Sequence, residues 1–332
     1  MERLRITFAC KPYAHMHAVM VGTVEPEGVD LNFLPMEVEE IFWRQLKHEE
    51  FDVSEMSLSS YTMARSRGED RFVAIPVFPM RIFRHSCVYV NSHKGIEKPE
   101  DLKGRLVGVP EYQMTACLWL RGIFQHEHGV HPNQIRWKGG GQENPGREEK
   151  VKLRLPPDID YTAIPPDKTL SRMLDEGEID ALFTARTPSC FDQGSPRVRR
   201  LFDNFIEVEK EYYLKTSIYP IMHTVAMKRS VYEAHPWLAM SLFKAFTQSK
   251  NMVLTHLRQT GGAPLYAVLP WGGWEAERTA KIMGDDWYPY GIERNRPTID
   301  ALCQYSFEQG LSQRRMTVEE LFAPETFDEF KI

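Results

Sequence analysis

Along this chain the apolar positions switch repeatedly between the two-residue period of a strand and the longer period of a helix. Arg5–Ala9 alternates polar and apolar residues and predicts a first strand. Gly28–Leu34 predicts a second, and His15–Gly22 leaves room for one or two helical turns between them. Val38–His48 has apolar residues at 38, 41, 42 and 46, a helical period. Phe51–Met56 reads as a strand that ends in the polar turn Ser57–Ser60, and Phe72–Phe78 as another, closed by Pro79. His85–Asn91 is a β run, Pro99–Gly104 a single helical turn stopped by glycine, and Arg105–Pro110 a strand. Gln113–Glu127 predicts a helix, and Gln134–Lys138 a strand that runs into Gly139-Gly140-Gly141. The polar, proline-rich stretch Asn144–Pro166 reads as loop. Beyond it come a helix over Thr169–Glu176, strands over Ile179–Thr184 and Ile221–Lys228, and one long helix over Val231–Arg258 with Pro236 in its first turns. The remainder reads as helical around a Gly/Trp-rich loop at Leu269–Trp274.

Strands alternating with helices imply an α/β protein with a mainly parallel sheet in each half. Two such halves joined by two crossing strands make a hinged cleft. The expected lobes are residues 1–86 with 223–332, and residues 87–222. Ligands of open α/β sheets sit beyond the carboxyl ends of strands. That rule selects Tyr13–His17, Ser57–Ser60, Arg84-His85, Glu111–Thr115, Gly139–Gly141, Arg186 and His223-Thr224.

Composition narrows the function. The chain has 332 residues, long enough for two lobes, and is 42% hydrophobic and 26% charged, ordinary for a globular protein. Its net charge of -5 offers no basic face for nucleic acid or a membrane surface, so specificity for an anion must come from a few placed cations. No apolar run is long enough to span a bilayer, and Met1–Cys10 has no apolar signal core. Five widely spaced cysteines without a Cys-x-x-Cys pair suit reduced, buried thiols, and a cytoplasmic location is expected.

Within the selected segments, Arg84 beside His85 suits carboxylate binding and proton movement. The turn Glu111-Tyr112-Gln113-Met114-Thr115 precedes a helix, whose N-terminus favours an anion, although Gln113 or Thr115 equally suits a helix cap. Gly140 lies in a glycine run that either admits a ligand to the backbone or forms a plain flexible loop. Arg186 is a carboxylate clamp or a surface ion-pair partner, and His223 a site group or a core histidine. Tyr13, Ser57, Ser59, Ser60 and Thr224 complete the polar positions at strand ends. His15-Met16-His17 has the spacing of a metal pair if it lies on a strand, but no further ligand strands accompany it.

Several of these segments resemble one family closely. EFDVSEMSLSSY (50–61), FVAIPVFPMRIFRHSCVYVN (72–91), DLKGRLVGVPEYQMTACLWLRGI (101–123), PPDKTLSRMLDEGEIDALFTAR (165–186), YPIMHTVAMKRSVYE (219–233) and ELFAPETFDEFKI (320–332) look like the 4,5-dihydroxyphthalate decarboxylase family. The likeness runs over essentially the whole chain. It implies a type II periplasmic-binding-protein-like fold and loss of one carboxylate from a hydroxylated aromatic dicarboxylic acid, 4,5-dihydroxyphthalate giving protocatechuate; no cofactor is expected, because the phenol serves as electron sink, and no residue is assigned to a metal. On that reading Arg84 and Arg186 hold carboxylates, the Glu111–Thr115 turn assists through backbone N–H groups, His85 and His223 are acid and base, and Glu111 orients one of them. After Tyr13 the family carries an acidic residue and an arginine; Ala14-His15 stands here instead, so that either His15 substitutes as a polar group or the pocket serves a related hydroxylated aromatic acid. The implied partner is a small aromatic carboxylate, and an assembly of identical copies is compatible with the sequence. The alternative is a non-catalytic anion-binding protein or sensor on the same fold.

Overall fold

The computed structural model describes residues 2–259 and 269–327. Within them, strands β1 (Leu4–Cys10), β2 (Val29–Pro35), β3 (Val53–Ser57) and β4 (Phe72–Ile75) open the chain. β5 (Val88–Asn91), β6 (Leu106–Val109), β7 (Arg136–Gly139), β8 (Tyr161–Ala163), β9 (Ala181–Phe183) and β10 (Val198–Arg200) follow, and β11 (His223–Lys228) returns. They form two sheets, ordered β2-β1-β3-β11-β4 and β10-β5-β9-β6-β7-β8. β1 runs parallel to β2 and β3, and β6 parallel to β7 and β9. β5 and β11, which follow the two crossings between sheets, pair antiparallel with their neighbours.

Helices α1 (His17–Met20), α2 (Val38–His48) and α3 (Leu58–Ser66) flank the first sheet. α4 (Thr115–His128), α5 (Leu170–Glu176), α6 (Ser189–Asp192) and α7 (Phe205–Thr216) belong to the second, and α8 (Arg229–Ala234), α9 (Trp237–Gln259), α10 (Gly272–Met283) and α11 (Arg296–Glu308) close the chain. Several boundaries differ from those the pattern predicts. Ser57–Ser60 is not a free turn: the Ser57 hydroxyl accepts the Ser60 N–H and starts α3. The long helix predicted over Val231–Arg258 breaks at His235-Pro236, because proline lacks the N–H that would continue α8. Leu269–Trp274 is not all loop, since α10 begins at Gly272. The stretch read as loop contains β8. Helical structure expected over 260–268 lies outside the described residues.

The two crossings lie side by side. Met222 N–H donates to Met80 O at 2.8 Å and Ile82 N–H to Pro220 O at 3.1 Å. Arg81, buried between them, donates to Tyr219 O, Pro289 O and Asn295 Oδ1 at 2.7–3.0 Å. One apolar core continues through both sheets. α11 packs on α3 and α4 together; a Cβ at Gly122 of α4 would stand 2.0 Å from the Tyr305 ring of α11.

Candidate active site

The carboxyl ends of β1, β3, β6 and β9 converge on a cavity of about 210 Å³ between the sheets. On the first-sheet side its wall includes Lys11, Tyr13, Glu39, Phe42, Ser57, Ser60 and His223. On the second it includes Glu111, Met114, Thr115, Arg147, Lys150 and Arg186, with Arg84 from the crossing.

His223 opens β11 opposite Ser57. Its Nδ1 lies 2.6 Å from Oε1 of Glu55, a residue of β3 with no exposed surface. The same oxygen accepts the Tyr13 hydroxyl at 2.7 Å, and Oε2 accepts the Lys11 N–H at 3.0 Å and the Cys10 thiol at 3.4 Å. Burial alone would raise the Glu55 pKa; the bonds from His223 and Tyr13 outweigh it, and the carboxyl is held below its usual range. Burial, followed by the Glu55 charge, pushes the Tyr13 hydroxyl far up, so it stays a donor. With Nδ1 committed and the ring held against the edge of Phe42, Nε2 is the nitrogen left to a ligand.

Arg84 is 2% exposed and forms no salt bridge among the described residues. Its guanidinium meets weak or neutral acceptors: Met222 Sδ at 3.3 Å, Cys87 Sγ at 3.8 Å and Ala185 O at 3.3 Å. A buried cation on a cavity wall without a carboxylate partner is chemically suited to an anion. The N-terminus of α4 opens on the same space, with no acidic residue in its first turn.

On the second-sheet wall Glu111 Oε1 accepts from Arg147 Nε at 2.8 Å and from Lys150 Nζ at 2.6 Å. Glu149, in the same segment, fixes the turn below by accepting the Tyr112 N–H at 2.5 Å. At the floor the Ser57 and Thr115 hydroxyls meet at 3.0 Å and join the lobes. Gln113 lies beneath, its amide accepting the Val151 and Lys150 N–H groups and donating to Ser60. At the mouth Glu39 meets Arg147 Nη1 and Arg186 Nη2, each at 3.2 Å.

The structure therefore brings Tyr13, Ser57, Ser60, Arg84, Glu111, Thr115, Arg186 and His223 to one cavity. Other selected residues lie elsewhere. His85 packs in the second lobe against Phe202 and Tyr212, away from the cavity. Glu111 orients no histidine, because two cations occupy it; Glu55 does that work. Tyr112 is buried under Arg121, whose guanidinium carbon lies 3.7 Å from the ring centre. Ser59 and Thr224 are fully buried, Thr224 bonding Ile75 O. Gly140 is not on the cavity wall and does not sit in a loose loop: a Cβ there would be 2.3 Å from Ile164. His15 stacks behind Tyr13 at 5.3 Å, and Ala14 faces a separate surface pocket with His17, so the departure after Tyr13 does not line the cavity. His15 and His17 cannot act as a strand pair, since residues 14–16 form a 3-10 turn. Among the described residues no three His, Cys, Asp or Glu side chains cluster as metal ligands.

Sequence reasoning missed Glu55, Lys11, Glu39, Arg147 and Lys150. Glu55 had a signal: an acid inside an apolar central strand must find a partner. Arg147 and Lys150 had none, lying in an evenly charged loop.

The chain is 40% identical over 332 residues to a 4,5-dihydroxyphthalate decarboxylase of Comamonas testosteroni, and the match covers all of both proteins. The chain belongs to the 4,5-dihydroxyphthalate decarboxylase family. A second member, from Pseudomonas putida, is 42% identical over 202 residues, 61% of this chain and 78% of its own. No family model matches. Among solved structures the chain resembles the periplasmic aliphatic sulphonate binding protein SsuA of Escherichia coli, with a TM-score of 0.54, 13% identity, and 98% of this chain and 99% of that one covered. It also resembles the desulfurization enzyme DSZB, with a TM-score of 0.50, 14% identity, and 98% of each chain covered. Both likenesses concern the fold alone. This member of the 4,5-dihydroxyphthalate decarboxylase family thus has the two-lobed binding-protein architecture that its sequence predicts.

Proposed function

We propose that this chain is a carboxy-lyase that converts 4,5-dihydroxyphthalate to protocatechuate and CO2, with the His223–Glu55 pair as its proton-transfer group. The observation that carries this reading is a carboxylate-backed histidine and an unpaired buried arginine on one small cavity. Direct loss of CO2 from an aromatic ring leaves an in-plane carbanion that the ring cannot delocalise. Protonating the ring carbon first removes that obstacle. His223 Nε2 gives a proton to the carbon bearing the departing carboxylate, and Glu55 stabilises the imidazolium before transfer. The hydroxyl para to that carbon feeds electron density to it, more so once ionised. Lys150, on the same wall of the cavity, favours the ionised form. The bond to the carboxylate then breaks, and its electron pair restores the aromatic ring. The ring itself is the electron sink. Arg84 and the α4 N-terminus hold carboxylate, and the lobes, hinged near residues 86 and 223, enclose the ligand. A cytoplasmic enzyme acting on a small aromatic acid fits these features; no described helix is long and apolar enough to cross a membrane.

The test is product chromatography after incubation with 4,5-dihydroxyphthalate. Protocatechuate should accumulate in step with CO2, and His223→Gln should lower kcat by about 10²–10⁴-fold while phthalate binding changes little. Tight binding without turnover in the unaltered protein would leave the non-catalytic anion receptor as the reading. A variant with normal kcat and weak binding would remove His223 from proton transfer.

A further inference from the structure

Arg147 and Arg186 reach the cavity mouth from the second lobe, and Glu39 reaches them from the first turn of α2 in the first. Both contacts are 3.2 Å. Arg147 has its Nε and Nη2 on Glu111 and its Nη1 on Glu39, so Glu39 takes the last free edge of that guanidinium. Arg186 otherwise stands 63% exposed. Arg84, by contrast, is buried on the cavity wall with no carboxylate partner among the described residues. A dicarboxylate entering this cleft therefore meets one cation that no protein carboxylate pairs among the described residues and a second pair already holding a carboxylate of the protein.

We infer that Arg147 and Arg186 form a second carboxylate subsite, and that Glu39 occupies it as an internal competitor which a dicarboxylate ligand displaces. The inference rests on the substrate reading of the preceding section for the kind of ligand, an aromatic acid with two carboxylates. Displacement exchanges one carboxylate for another on the same donors, so the net gain in affinity is small and selective. A monocarboxylate satisfied at Arg84 has no second group to offer and leaves Glu39 in place. Glu39 thus sets a preference for two carboxylates and holds back the affinity for them. A latch role makes the opposite demand: if Glu39 closed the lobes over a bound ligand, losing it would weaken binding. The sign of the effect separates the two.

The experiment is calorimetric titration of the unaltered protein and Glu39→Gln with phthalate and with benzoate, neither of which carries a hydroxyl to support turnover. Phthalate should bind Glu39→Gln several-fold more tightly, and benzoate equally well to both proteins. The gain should vanish in Glu39→Gln/Arg186→Gln, because the subsite is then incomplete. Glu39 is half-exposed at the rim, and a thermal melt of each variant checks the fold. Weaker or unchanged phthalate binding in Glu39→Gln overturns the inference, as does failure of phthalate to bind either protein. Equal tightening for benzoate also overturns it, since that is general relief of negative charge. Turnover of 4,5-dihydroxyphthalate by the unaltered protein is measured alongside. A phthalate-specific gain without turnover sinks only the decarboxylase reading, and turnover without the gain sinks only this one.

Discussion

At the scale of single residues, this protein keeps two histidines neutral by burying them. Burial holds the His85 imidazole down at about 4, from an ordinary 6.5, among Phe202 and Tyr212. Burial also holds His15, stacked behind Tyr13, at about 4. The unfolded chain takes up protons at both sites as pH falls below about 6.5, whereas the native chain resists until about 4. Their contribution to stability is therefore whole above that window and is lost as pH falls through it. Glu209, 3.8 Å from His85, has the opposite sign: burial pushes it up to about 7, so its contribution fades as pH rises. Burial also lowers His128 and raises Glu149, so three depressed histidines stand against two raised carboxyls and predict stability that declines on acidification from pH 6.5 to 5. Urea midpoints across that range should fall less steeply in His85→Leu than in the unaltered protein. An unchanged slope would remove His85 from this account. His85 also shows how far sequence reaches: its neighbour Arg84 faces the cavity, but successive residues at a turn can point to different surroundings.

At the scale of elements, the glycine run after β7 has a packing role. A Cβ at Gly139 would meet the Tyr161 hydroxyl at 2.0 Å, and one at Gly141 would meet the Asn144 carbonyl oxygen at 1.7 Å. β8 and the turn after it close directly on this run, and the segment between β7 and β8 carries Arg147, Glu149 and Lys150. Gly141→Ala should thus destabilise the protein by about 1–3 kcal/mol or more, since backbone rather than a flexible side chain has to yield. Chemical unfolding measures the loss, and a variant as stable as the parent would contradict the geometry. The helices teach a related lesson. The pattern placed α2 and α4 well, because an apolar face at helical spacing is a local property. It missed the start of α3, because the capping bond from Ser57 depends on where the strand before it ends.

At the scale of the molecule, two lobes share one core. The buried cluster contains Phe8 and Val225 from one sheet and Val107 and Phe183 from the other. α11 rests on helices of both lobes, and Arg81 ties the crossings to the C-terminal segment. Lobes that depend on the same apolar contacts should unfold together. Far-ultraviolet circular dichroism and tryptophan fluorescence should give coincident urea transitions. Two separated transitions would mean that each lobe is stable alone and that the shared core contributes little.

The sequence by itself determined the alternation of strands and helices, the two-sheet architecture and a set of strand-end segments, several of which line the cavity. These follow from local periodicity and from a general rule about open sheets. Family likeness added the chemistry, because its phrases extend over the whole chain. Tertiary structure decided which polar residues share a cavity. Glu55 and His223 are 168 positions apart and meet only because β11 returns beside β3. Arg147 and Lys150 reach Glu111 only because β8 draws their loop back over the second sheet. A contact between distant segments depends on how strands are ordered in a sheet, and no local spacing encodes that order.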